Sequence, residues 1–177
     1  MSEQGGARPV TAWDAIASRR DVREFADRPV ANSDLEQILE AGRRSPSSRN
    51  TQPWDFVVIT DRQQLAGLAK AATGGGGPAP PPVIIALIAP GGERRQRALY
   101  DLGQVTMSIM LAAAGLGIGS GHASVTDQDV ARQVLGFPED RSCPFLITLG
   151  YPAGRPLAPI RHPARRPFAE VVHRGHW

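Results

Sequence analysis

Hydrophobic positions along this chain recur with two periods. Leu35, Ile38, Leu39 and Gly42 return every three to four positions, the spacing that lines one helical face, and Ser33 with Glu36 has the form of a capping box opening that helix. Pro46 stops it. Upstream, Thr11 can cap a short helix that carries Trp13 and Ile16 toward Arg19. Residues 56–60 are predicted to be a strand, after which Asp61 with Gln64 opens a helix holding Leu65, Leu68 and Ala69 on one side.

Residues 83–89 form a continuous apolar run, predicted to be a buried strand. A long helical pattern over about 93–116 then places Leu99, Leu102, Thr106, Ile109, Met110 and Ala113 along one stripe. Its second half is apolar or small on nearly every face, which predicts a central helix packed on several sides. Residues 115–121 read as a glycine-rich loop. Thr126 with Asp129 resembles a weaker capping box for the following helix, and 144–152 is a third buried strand. Three short strands alternating with helices predict a mixed α/β or α+β sandwich.

Two segments carry no such pattern. Residues 1–10 read as a flexible tail, and 73–82, rich in glycine and proline, can be neither a helix nor a central strand and is a loop. With 177 residues, 41% of them hydrophobic, the chain suffices for one core, so residues 11–177 are read as a single domain ending in an extended arm from about 152.

Charge narrows the partners. Twenty Lys and Arg against seventeen Asp and Glu leave a formal +3, concentrated locally, which argues against nucleic acid as the partner. A single cysteine, Cys143, excludes an internal disulfide and fits a reducing compartment as a small apolar filler. No export signal and no run long enough to span a membrane is visible, so the protein is expected to be cytoplasmic.

Chemistry gathers in two places. Adjacent arginines at a helix C-terminus are ordinarily solvated, but Arg19, Arg20 and Arg23 lie within about one turn of one another. Their planar forks suit a phosphate dianion, and Arg161, Arg165 and Arg166 form a second basic group that could reach the same anion. The other place is the run from Ser45 to Pro53. Ser, Asn and Pro commonly follow a helix, yet Ser47, Ser48, Asn50 and Gln52 supply many donors and acceptors within six positions beside a strand. A flat heteroaromatic ligand needs such an edge. His162, His173 and His176 lack the spacing of a metal site and read as solvated or interface side chains; His122 adjoins the glycine run, and Trp54 reads as a core anchor.

The motifs Arg-Arg-x-x-Arg at 19–23, Pro-Ser-x-x-Asn-x-Gln-Pro-Trp at 46–54 and Leu-Gly-Tyr-Pro at 149–152 occur in order. Together they resemble the FMN-dependent nitroreductase family, of which the chain is identified as a small member. The resemblance implies an α+β fold, a central mixed or antiparallel sheet flanked by helices, in an intertwined homodimer with FMN sites at the subunit interface. It implies that Arg19, Arg20 and Asp21 line the phosphate and ribityl chain, that Arg23 approaches the pyrimidine edge, and that Arg165 returns to the phosphate. Pro46, Ser47, Ser48 and Asn50 would come from the other subunit, and a backbone N–H near Ala123, Ser124 or Val125, in the loop after the glycine run, would meet N5 or O4.

It further implies that NADH or NADPH delivers hydride to the flavin, with Arg23 as electrostatic stabiliser and no protein nucleophile, and that a nitroaromatic, quinone or similar electron-poor small molecule takes it in a ping-pong cycle. Two departures from the family pattern stand out. Asp21 occupies a place where many members have Ser, which also resembles the branch that fragments reduced flavin to dimethylbenzimidazole; the glycine–proline run stands where several members place an Asn and a Lys. The alternatives are therefore a flavin-binding homodimer for storage or sensing, and a flavin-fragmenting enzyme. The flavin face is expected to be shallow and partly shaped by residues 74–82.

Overall fold

A computed structural model describes residues 10–73 and 79–177; the expectations for residues 1–9 and 74–78 lie outside the described residues. Thr11 caps the first helix, α1 (Ala12–Ser18), in a complete capping box with Asp14. The second, α2 (Asn32–Arg43), begins two positions earlier than a Ser33 cap predicts: Ala31 is the N-cap and no side chain caps it. At its far end, the hydrogen bond from Arg43 first and that from Arg44 second hold the half-buried Glu40 carboxyl down at about 2.

Five strands, two more than the patterning predicts, build one sheet in the order β1-β3-β5-β4-β2: β1 (Asp55–Ile59), β2 (Ala72–Thr73), β3 (Val83–Pro90), β4 (Gly119–Val125) and β5 (Arg141–Gly150). All four ladders are antiparallel, which settles the expected mixed or antiparallel sheet as antiparallel. The remaining helices are α3 (Arg62–Ala71), α4 (Glu93–Gly115), α5 (Gln128–Leu135) and a single turn, α6 (Phe168–Val171).

Strand β3 shows how the layers form. Successive side chains of a strand point to opposite faces. Val83, Ile85, Leu87 and Ala89 join Ile38 and Trp54 with Leu102, Val105, Ile109 and Met110 of α4. Ile84, Ala86 and Ile88 join Leu65, Leu68 and Ala71 of α3 with Ala131 of α5. Helices thus cover both faces, which is why β3 reads as an unbroken apolar run. Burial of each large aliphatic side chain contributes roughly 1.5–3 kcal/mol. On α3, Ala71 takes the buried place expected of Ala69, which is exposed.

Two further expectations are corrected. The end of the predicted glycine loop, residues 119–121, is strand: β4 starts at Gly119, where the chain around Val22 crosses so closely that a Cβ would lie 2.7 Å from Val22 Cγ2. Ala123, Ser124 and Val125 are therefore strand residues rather than loop residues. Thr126 does not cap α5; Asp127 does, accepting from the N–H groups of Asp129 and Val130, while the Thr126 hydroxyl donates to Ala71 O.

After Gly150 the chain leaves the core. Ala153 N donates to Glu24 O and Ile160 N to Ala17 O, so the arm first runs back along the segment after α1 to the end of α1 itself. From there to Trp177 every residue is exposed, including Phe168, Val171 and Trp177, while Trp13 and Tyr100 also stand out of the surface elsewhere. No described helix is long and apolar enough to cross a membrane.

Candidate active site

Helix α1 ends because Arg19 turns out of helical space, with ψ 129°, while its N–H still donates to Ala15 O at 2.9 Å. The next residues run extended along β4. Asp21 bridges to Ser120, Val22 N donates to Ser120 O at 2.9 Å, and the Val22 side chain is buried. This anchoring fixes the alternation of the charged side chains on either side of Val22.

Their arrangement is a clasp. Asp21 Oδ1 accepts from Arg19 Nη1 at 2.9 Å and Asp21 Oδ2 from Arg23 Nη2 at 3.2 Å. Arg23 Nη2 also donates to His122 O at 3.2 Å, and Arg20 donates to Arg155 O at 2.6 Å. Arg19 and Arg23 are about one-fifth and one-third exposed, so neither is freely solvated. Arg23 Nη1 is buried without a hydrogen-bond partner among the described residues. Glycine at 121 lets the chain and Arg23 pack this closely: a Cβ there would lie 2.8 Å from Val22 O and 3.4 Å from Arg23 Nη1. Beneath it, the buried Thr148 hydroxyl donates to Gly121 O.

The serine–asparagine segment forms a tight 3-10 turn, Ser48–Asn50, after Pro46, which is exposed. Ser47 Oγ accepts from Gln52 N at 2.9 Å, and Ser48 N donates to both carboxylate oxygens of Asp101. Arg49, Asn50 and Gln52 all adopt positive φ, at 54°, 57° and 46°. Non-glycine residues take such angles at a cost, and their clustering marks functional segments. Sequence reasoning missed Asp101. Its signal was a carboxylate adjoining the apolar stripe of α4, where an unpaired charge would be costly.

Within one chain the two clusters stand apart. Ser48 rests on residue 101 of α4, whereas Arg19 Nη1 approaches the Met110 sulfur at 4.0 Å; at 1.5 Å per residue this is about 14 Å along the helix axis. Ala123 is buried opposite Leu146, while the exposed Ser124 pairs with Thr73 and Phe145. Arg165 lies exposed in the arm and donates to Ala164 O; among the described residues nothing draws it to Arg19 or Arg20. Trp54 is a core anchor as expected. His173 stacks with Trp177, ring centroids 4.3 Å apart.

Comparison with known proteins agrees with this architecture. The profile of the nitroreductase family matches residues 16–82 and 76–151. An NADH dehydrogenase of Thermus thermophilus is 31% identical over 191 residues, spanning 88% of this chain and 93% of that protein. Among solved structures, an FMN-dependent nitroreductase of Clostridium difficile superposes with a TM-score of 0.79 at 25% identity, covering 93% of this chain and 99% of the other. A nitroreductase A of Vibrio parahaemolyticus, 24% identical, has the same fold with a TM-score of 0.78, covering 92% of this chain and 74% of its own. With the arginine clasp, the left-handed turn and the five-stranded antiparallel sheet in place, the chain belongs to the nitroreductase family, an oxidoreductase family.

Proposed function

We propose that this protein is an FMN-dependent NAD(P)H oxidoreductase that works as a homodimer. The observation that carries the reading is the buried Arg23 Nη1, which has no hydrogen-bond partner among the described residues and stands beside a second guanidinium, Arg19, on the shared Asp21. A guanidinium carries five N–H donors, and leaving one buried and unmet is costly unless a ligand meets it. The donor set fits FMN: cations for the phosphate, and hydroxyl and amide groups for the ring edge.

FMN, when bound, would take hydride from NADH or NADPH and release it to a nitroaromatic, quinone or similar electron-poor acceptor in ping-pong fashion. Arg19 and Arg20 would hold the phosphate, joined by Arg165 from the arm, with Asp21 beside the ribityl chain. Arg23 would set positive charge against the pyrimidine edge, where a preformed cation needs no reorganisation. Ala123 and Ser124, on β4, would offer backbone donors to the ring.

Pro46, Ser47, Ser48 and Asn50 would cover the ring of the neighbouring subunit, since in their own chain they lie far along α4 from Arg19. The exposed Tyr100 and the exposed arm from Ile160 to Trp177 would become buried in that pairing.

Absorbance spectroscopy of the purified protein after FMN loading and gel filtration tests the reading. A retained flavin spectrum that NADH or NADPH bleaches and a quinone restores is expected. Flavin that neither nucleotide reduces would sink the oxidoreductase assignment, and a stable monomer that keeps FMN would sink the shared site.

A further inference from the structure

Asp21 sits at the centre of the basic strip and touches both of its flanking cations. Each carboxylate oxygen meets a different arginine, Arg19 Nη1 at 2.9 Å and Arg23 Nη2 at 3.2 Å. The backbone leaves it little choice, because the bridge to Ser120 and the buried Val22 fix this part of the chain. A strip of three cations and one anion within residues 19–23 therefore presents a smaller positive field than its arginines alone would.

We infer that Asp21, through its ion pairs with Arg19 and Arg23, offsets their charge and holds a bound flavin at a more negative reduction potential than the arginines would otherwise impose. This rests on the flavin reading above. Hydride from NADH or NADPH brings two electrons and one proton to the flavin, the nucleotide is oxidised, and negative charge gathers at the pyrimidine edge. Arg23 favours that charge; a carboxylate on the same guanidinium opposes it. The consequence is a reduced cofactor that hands its two electrons more readily to the acceptor, at the expense of slower filling by the nucleotide.

Spectroelectrochemical titration of the FMN-loaded dimer tests this, with Asp21→Asn, Asp21→Ser and Asp21→Glu compared with the parent. The two neutral variants should shift the reduction equilibrium at least tenfold toward reduced flavin, about 30 mV more positive for a two-electron couple. They should also bind FMN at least as tightly in fluorescence titration, whereas Asp21→Glu should stay within twofold of the parent equilibrium. Unchanged or more negative potentials in the neutral variants would overturn the inference while leaving the flavin reading intact. Loss of FMN from both neutral variants would overturn it too, since charge offset predicts the opposite. Failure of the parent protein to take up FMN would instead remove the flavin reading itself, and this inference with it.

Discussion

Asp101, buried on α4, accepts the backbone N–H of Ser48 with both carboxylate oxygens, at 3.2 and 3.3 Å, across 53 positions of sequence. The turn it holds and the residues just after it contain three non-glycine residues at positive φ, Arg49, Asn50 and Gln52, each costing on the order of 1 kcal/mol or more. A charged acceptor in a buried place is suited to offset that strain, because hydrogen bonds to charged groups contribute about 1.5–3 kcal/mol. Replacing Asp101 by Ala should therefore lower stability by about 2 kcal/mol, read as a reduced urea midpoint at unchanged slope. Asp101→Asn, which retains an acceptor, should lose less; equal midpoints for all three proteins would show that the turn holds itself.

The clasp around Arg23 has a steric counterpart in Gly121. An added Cβ would meet a backbone oxygen, Val22 O, at 2.8 Å and Thr148 Oγ1 at 3.1 Å. Backbone cannot swing aside as a side-chain tip does, so Gly121→Ala should destabilise by roughly 1–3 kcal/mol. It should also displace Arg23 and weaken FMN retention. A melting temperature and flavin content equal to those of the parent would contradict the close approach.

The contrast between legible and illegible elements follows the range of the interactions. Asp61 and Thr11 were readable as caps because one side chain meets N–H groups two or three residues away. Thr126 misled because its hydroxyl serves Ala71 O, 55 positions back, a contact that exists only once the sheet has formed. Strand β2 is two residues long and owes its existence to pairing with Val125 and Ser124. No local pattern can announce it. Gly119 and Gly121 suggested a loop by composition, whereas in the fold they thin β4 so that Val22 can cross it.

The site was legible in its residue types and less so in its geometry. Arg19 and Arg23 converge as their spacing allowed, but Asp21 as their common partner and Asp101 as the support of Ser48 depend on contacts that spacing does not encode. Arg19→Ala and Arg23→Ala should each weaken FMN binding by about 2 kcal/mol, a factor of roughly 30, through loss of a charge-assisted contact. Fluorescence titration of the apoprotein with FMN measures this. Affinities within a factor of two of the parent for both variants would remove these arginines from the cofactor site.

Cys143 supplies a prediction independent of any cofactor. Its side chain is buried between β5 and α5, and burial pushes the thiol from 9.0 up to about 12. Only the thiolate reacts, so the folded protein should resist iodoacetamide at pH 8 and become alkylated once urea unfolds it. The raised value also fixes a direction for stability. Below pH 9 the thiol is protonated in both states; from about pH 9 the unfolded chain loses the proton while the folded one retains it up to about 12. The unfolded state then binds fewer protons, and stability must fall as pH rises through this window. Urea titrations of the parent and of Cys143→Ala between pH 8 and 11 isolate the effect. The parent's stability relative to the variant should shrink steadily above pH 9, and a difference constant over the whole range would show that the thiol titrates alike in both states.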